Sequence, residues 1–336
     1  MKKIVTFGEL MMRLATQNNE RFGQARSLGL TYGGGEFNVA VSLANYGLNA
    51  QFVTRLPNND LGKSALEEVN RFQVNTDHIL FGGDRLGVYF LEQGAGLRAS
   101  SVVYDRANSA LATVETNTFD WQTIFEDADW FHWSGVTPAL SQTAADVTLE
   151  AIKVAKSMGV KISCDLNYRS KLWQYGKSPS EVMPELLAYS SVILGDIDTA
   201  YFMLGKEKVN PDYTATNELA NLYKPLFEHC SNLVYVATSL RNSVNTSHQR
   251  IGGILFDGAQ LYTSKSYEVS YVVDRVGSGD AFMGGLIYGL NELPAQEAIN
   301  FATAACVLKH TIPGDLNRVS VNEVEKLTTG GGDVQR

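Results

Sequence analysis

A chain of 336 residues with 44% hydrophobic and 19% charged residues has material for one large α/β domain or two ordinary ones. No apolar run approaches the roughly 20 residues that a membrane helix requires, and no low-complexity tract occurs, which argues against membrane-spanning and disordered classes. The 28 Lys and Arg against 36 Asp and Glu give a formal charge of −8, which counts against nucleic acid as a partner and raises the question of how any anion would be held.

In chain order, the first element is a strand over 3–7. The apolar stretch before Gly8 is too short for a signal-peptide core, so a cytoplasmic location is expected. Residues 10–32 read as extended without a helix. Helical periodicity follows at 36–47, a β-branched run at 51–55 and a second helical segment at 60–74. Residues 85–107 read as another extended piece, with Gly87–Glu92 and Ser101–Asp105 flanking a Gly-rich turn at 94–96. Strands at 129–133, 161–165, 191–195 and 233–238 alternate with helices at 142–158 and 215–228. This alternation predicts an α/β fold, a mostly parallel central sheet with helices on both faces. The extended pieces 10–32 and 85–107 are expected to form a small antiparallel β lid beside it. With no linker and no repeat, one domain is expected over 1–330, followed by a flexible tail at 331–336. A lid edge bearing Val88, Phe90 and Val102 predicts homo-oligomer formation through the lid.

Cys164, Cys230 and Cys306 are widely spaced among apolar neighbours and read as buried thiols. His132, between Phe131 and Trp133, reads as a buried hydrogen-bonded residue. The other four histidines have no partner at a recognisable spacing.

The chemistry concentrates in Asp274-Arg275-Val276-Gly277-Ser278-Gly279-Asp280-Ala281-Phe282-Met283-Gly284-Gly285, a glycine turn running into a helix. The amides of Gly277, Ser278 and Gly279 lack i−4 partners and sit at the positive end of the helix dipole, so they form an anion site. Asp280, in the first turn, is placed to accept a hydroxyl proton while the amides stabilise phosphoryl charge, and is expected to be ionised at neutral pH. Taken alone, Gly-x-Gly-Asp is equally a turn followed by an N-cap.

The longer string resembles the second signature of the ribokinase, or PfkB, family of carbohydrate kinases, Asp-Thr-x-Gly-Ala-Gly-Asp-x-Phe, with Arg275 in place of Thr and Ser278 in place of Ala. Tyr32-Gly33-Gly34-Gly35-Glu36-Phe37-Asn38-Val39-Ala40 resembles the family's first signature, a diglycine turn opening a sugar-binding helix. Phe52 through Gly62 keeps the family's order, so the resemblance spans nearly the whole chain. It implies a ribokinase-like fold, ATP as phosphoryl donor with Mg²⁺, and compatibility with a monovalent cation.

Tyr104-Asp105-Arg106-Ala107-Asn108, Ser134-Gly135-Val136-Thr137-Pro138 and Asp165-Leu166-Asn167-Tyr168-Arg169 look like the 2-keto-3-deoxygluconate kinase branch of that family. Guanidinium groups just past strand ends suit a carboxylate ligand. The resemblance implies phosphorylation of the terminal hydroxyl of a sugar acid. Gly34, Gly35 and Asn38 would then hold the polyol and Tyr104 and Arg106 the acid end, with Tyr89 beside it and Arg169 between substrate and phosphate. It also implies nucleotide contacts at Asn167, Thr238, Ser239 and Asn300, with the 311–315 turn at the adenine end. The family's Asn-x-x-Glu metal region is Leu194-Gly195-Asp196-Ile197-Asp198-Thr199 here, so Asp196 or Asp198 would act through water and no metal ligand is assigned. The competing readings are a neutral-sugar kinase of fructokinase or ribokinase type and a non-catalytic sugar sensor. A Rossmann dehydrogenase lacks its G-x-G-x-x-G turn after the first strand.

Overall fold

The computed structural model describes residues 1–330, apart from the side chains of 216 and 217; the expected tail at 331–336 lies outside the described residues. The chain opens with β1 (Lys3–Phe7), β2 (Met11–Ala15), β3 (Gly29–Gly33) and α1 (Gly35–Asn45). β4 (Asn49–Leu56), α2 (Asp60–Asn70), β5 (Ile79–Phe81), β6 (Gly87–Glu92) and β7 (Ser101–Asp105) follow. The middle comprises α3 (Trp121–Ile124), β8 (Trp130–Ser134), α4 (Gln142–Ser157), β9 (Lys161–Asp165), α5 (Pro179–Leu187), β10 (Val192–Leu194), α6 (Ile197–Met203) and α7 (Thr216–His229). The last part holds β11 (Tyr235–Ser243), β12 (Gln249–Phe256), β13 (Leu261–Thr263), β14 (Tyr267–Val269), α8 (Ser278–Glu292), α9 (Ala295–Lys309) and α10 (Val321–Thr329).

Strand side chains alternate between two cores. In β1, Val5 and Phe7 join Phe131 and Trp133 on one face with α3 to α7, while Ile4 joins Phe52 and Trp130 on the other, under α1, α2, α8 and α9. Burial on both faces is what makes these strands near-continuous apolar runs and suits parallel pairing. The sheet order is β13-β12-β11-β10-β9-β8-β1-β4-β5, with β14 also on β12. Pairing is parallel from β11 to β5 and antiparallel around β12. The ribokinase-like expectation holds.

The lid is a second sheet, β3-β2-β6-β7. It departs from the antiparallel expectation in its centre: β2 and β6 run parallel, with Met11 opposite Gly87 and Ala15 opposite Leu91. Both strands leave the main body in the same direction, after β1 and after β5, so they enter the lid side by side. Only 11–15 and 29–33 of the first extended piece are strand. Val102 faces inward beside Leu91, whereas Phe90 and Val103 pair on the outer face with Leu14 and Leu30.

Candidate active site

From β1 the chain moves out to β4 and β5, then returns to lay β8 on the other side of β1. That reversal is a topological switch point, where open α/β sheets place ligands beyond the carboxyl ends of their strands. A cavity of about 550 Å³ opens there, lined by the ends of the strands, the inner lid face and the first turn of α8.

The two glycine motifs meet in it. Gly34 caps α1 in extended conformation, and a Cβ there would lie 2.0 Å from Glu9 O. One turn on, the Asn38 side chain accepts from Gly34 N at 3.3 Å and donates to Asp280 Oδ2 at 2.7 Å. Gly35 lies so near that its absent Cβ would be 3.6 Å from Asp280 Oδ1. On the facing side, Gly277 is the N-cap of α8 with φ 80°, a left-handed conformation. A Cβ at Gly277 would also fall 1.8 Å from Asp315 O, whereas Gly279 faces open space.

Burial raises the Asp280 carboxyl to about 6 against the opposing hydrogen bond from Asn38 and the charge of Arg169. The first-turn position therefore does not keep the ordinary carboxylate range, although the ionised form still prevails at pH 7. Two further carboxyls share this environment. Glu36 is buried beneath the glycine turn, where its Oε1 accepts from Ser134 Oγ at 2.7 Å and Thr137 Oγ1 at 2.8 Å, and burial lifts it to about 7. A side chain at Gly8 would overlap Glu36, with a Cβ 2.1 Å from its carboxyl carbon, so the turn after β1 is open to let Glu36 in. Asp165, at the end of β9, is raised to about 7 by burial and by Asp280.

Cations line the same cavity. Arg169, Arg241 and Arg275 line the cavity, and none forms a salt bridge among the described residues. Burial lowers the Arg241 pKa, and the charges of Arg275 and Arg169 lower it further. Three unpaired guanidiniums in one cavity form a site for a multiply charged anion. At the lid end Arg106 is buried, donates from Nε to Glu9 Oε2 at 2.7 Å, and lies 5.6 Å from the centre of the Tyr104 ring. Tyr89 is buried too, its hydroxyl bound to Asp315 Oδ2.

Among the expected residues, Gly34, Gly35, Asn38, Tyr89, Tyr104, Arg106, Asn167, Arg169, Ser239, Gly277, Ser278, Gly279 and Asp280 all line this cavity. Two expected nucleotide residues are not brought there. Thr238 lies inside β11, which runs on to Ser243 because β12 pairs with it, and its hydroxyl is bound to Tyr223 and to Gly195 O. Asn300 is on α9, where its side chain accepts from Lys265 N at 3.4 Å. In the 311–315 turn, Asp315 meets the lid. Sequence reasoning did not single out Glu9, Arg13, Glu36 or Arg241. A charge at Arg13 on the inward-facing phase of an apolar strand was a signal available for one of them.

The cysteines are buried, as expected, and His132 Nδ1 lies 3.0 Å from Ser163 Oγ with its pKa pushed down to about 3 by burial. No helix among the described residues is long and apolar enough to cross a membrane.

A glycine-capped anion turn, a carboxylate in the first turn of the same helix and a lid at the switch point are the parts of a phosphotransferase. The sequence matches pfkB family carbohydrate kinases over residues 1–317, and the chain belongs to that family. It is similar to a solved 2-dehydro-3-deoxygluconokinase of Thermotoga maritima, with 42% identity and a TM-score of 0.92 over 98% of this chain and 100% of that one. A 2-dehydro-3-deoxygalactonokinase of Haloferax volcanii is 33% identical over 334 residues, 98% of this chain and 97% of the relative. A 2-dehydro-3-deoxygluconokinase of Bacillus subtilis is 26% identical, over 95% of this chain and 93% of that one.

Proposed function

We propose that this kinase transfers the γ-phosphoryl group of ATP to the terminal hydroxyl of 2-keto-3-deoxy-D-gluconate, giving 2-keto-3-deoxy-6-phosphogluconate. The observation that carries the reading is the set of charges brought to one cavity: Arg106 beside Tyr104 on the lid, Asp280 bonded to Asn38, and Arg169, Arg241 and Arg275 without acidic partners among the described residues. The names of the relatives point to the same substrate class. Asp280 takes the hydroxyl proton as that oxygen bonds to the γ-phosphorus, the bond from phosphorus to the β–γ bridging oxygen breaks, and ADP leaves. The amides of Gly277, Ser278 and Gly279 meet the charge on the transferred group, and the three arginines neutralise the rest of the triphosphate. Tyr89 has committed its proton to Asp315, so towards the cavity it offers a lone pair and receives a sugar hydroxyl. The carboxylate falls to Arg106 and Tyr104.

Among the described residues no group of three or more His, Cys, Asp or Glu side chains is arranged to hold a metal. Asp165 and Asp196 line the cavity as oxygen donors, of the kind that would hold a hydrated Mg²⁺. Bound there, Mg²⁺ would neutralise phosphate charge. Asp196 already caps α6 through Thr199, at 2.8 Å to N and 2.7 Å to Oγ1, so Asp165 is the better placed of the two.

One observation favours the neutral-sugar reading: Glu9 already pairs with Arg106. A coupled assay on 2-keto-3-deoxygluconate, its galactonate epimer, gluconate and fructose separates the readings. The keto acids should lead, and Arg106→Ala should raise their KM by about tenfold or more beyond its effect on fructose, which reports the general cost of leaving buried Glu9 unpaired. Preference for fructose would overturn the proposal. The outer lid face, with Leu14, Leu30, Phe90 and Val103 side by side, is proposed as the contact with a second copy.

A further inference from the structure

Asp315 sits at the junction of the two halves of the site, 4% exposed. Its Oδ1 accepts from Arg13 on β2 at 2.5 Å and its Oδ2 from the Tyr89 hydroxyl on β6 at 2.5 Å. Gly33, at the end of β3, approaches the same carboxylate so closely that a Cβ there would lie 2.3 Å from Oδ2. Three of the four lid strands thus converge on one side chain. The main chain of Asp315 faces the other way, with its carbonyl oxygen packed on Gly277 in a space that admits no Cβ. Arg13 adds a second link, because its other terminal nitrogen holds Asp274 Oδ2 at 2.5 Å. Asp274 in turn accepts from Val276 N at 3.0 Å, next to the anion turn, and from Gly314 N at 3.1 Å, next to Asp315.

Contacts this close have few ways to yield separately, since packed interiors shift as units and a buried charge cannot leave its partner cheaply. Tyr89 lines the cavity where the sugar would lie, and Asp315 lies between it and the turn. A ligand that seats Tyr89 and the lid therefore also fixes Asp315, and with it the amides that receive the phosphoryl group.

We propose that Asp315 is a positioning residue through which the lid, once seated on the sugar, sets the Gly277–Gly279 turn, so that sugar and nucleotide bind with positive coupling. The inference rests on the functional reading above for the identity of the two ligands. Coupling is reciprocal, so it can be read from either side.

Calorimetric titration of the enzyme with a non-hydrolysable ATP analogue, with and without saturating 2-keto-3-deoxygluconate, tests it. In the unaltered enzyme the keto acid should tighten the analogue by about tenfold, within the usual range for coupled sites. Asp315→Asn, which keeps the shape but not the charge, should reduce that factor to about twofold or less and lower kcat. If Asp315→Asn lowers Tm yet keeps the full coupling, Asp315 is structural only and the inference is overturned. Should that variant fail to fold, Tyr89→Phe removes one lid bond to Asp315 without stranding a charge, and undiminished coupling there overturns the inference equally. Binding of the keto acid with no effect on the analogue removes the coupling and leaves the function standing. No binding of the keto acid removes the functional reading, and the inference falls with it.

Discussion

As the proposed base, Asp280 combines two demands, a charge that can accept a proton and a site dry enough for that charge to act. Burial places its pKa at about 6, so kcat should fall as pH drops through 6 and the carboxylate becomes protonated. Asp280→Asn should retain sugar binding and lose about 10²–10⁴ in turnover, as removal of a general base does; near-normal turnover in steady-state assays would exclude the role. Glu36 makes a separate prediction about stability. Its folded pKa is raised, so the folded state binds the extra proton, and its contribution is present below about 4.5 and lost as pH rises towards about 7. Glu36→Gln keeps the hydrogen-bonding shape without the titration. Its Tm relative to the unaltered protein should therefore climb between those two values, and a flat difference would exclude the argument. Asp280 was legible because its glycine turn is local in sequence. Glu36 was not, since its burial depends on Ser134 and Thr137, which only the folded sheet brings to it.

At the scale of elements, the N-terminus of α8 is the most constrained piece of the site. Gly277→Ala would place a side chain both at φ 80° and against Asp315 O. The left-handed backbone alone costs about 1–3 kcal/mol, and the close contact requires the turn itself to move. The expected outcome is a lower Tm together with a nucleotide KM raised by about tenfold or more, and unchanged nucleotide kinetics would show that the turn does not bind phosphate. The main strands and helices were legible from periodicity, because burial on both faces imposes apolar runs. β11 runs to Ser243, past the expected 233–238, because β12 pairs with it, and β12 carries Gly252 and Gly253 and little strand signal. The difference bears on function: Thr238, expected to contact nucleotide, is held inside the sheet by that longer ladder.

For the whole molecule, a formal charge of −8 is compatible with the proposed anion site because Arg106, Arg169, Arg241 and Arg275 line one cavity. Bulk charge acts at range, whereas guanidiniums within about 8 Å of a ligand are little screened at physiological ionic strength. The outer lid face is the other molecule-scale feature. Leu30 and Val103 are each 51% exposed on it, an apolar patch that a second copy would cover. Light scattering after size exclusion should report an oligomer that Val103→Lys dissociates; a monomeric unaltered protein would exclude this contact.

The parallel pairing of β2 with β6 has a consequence for how the chain acquires its structure. Between these strands lie β3, α1, β4, α2 and β5, most of one flank of the body, so the lid cannot close on itself as a hairpin would. Its central ladder joins residues far apart in sequence, Met11 with Gly87, and such non-local pairing is expected to form late in folding. A newly made chain should therefore pass through a stage with the sheet body formed and the lid strands unpaired, visible in pulse-labelling exchange as late protection of 11–15 and 87–92. The same connectivity means that the lid cannot be cut out or grafted as one continuous segment.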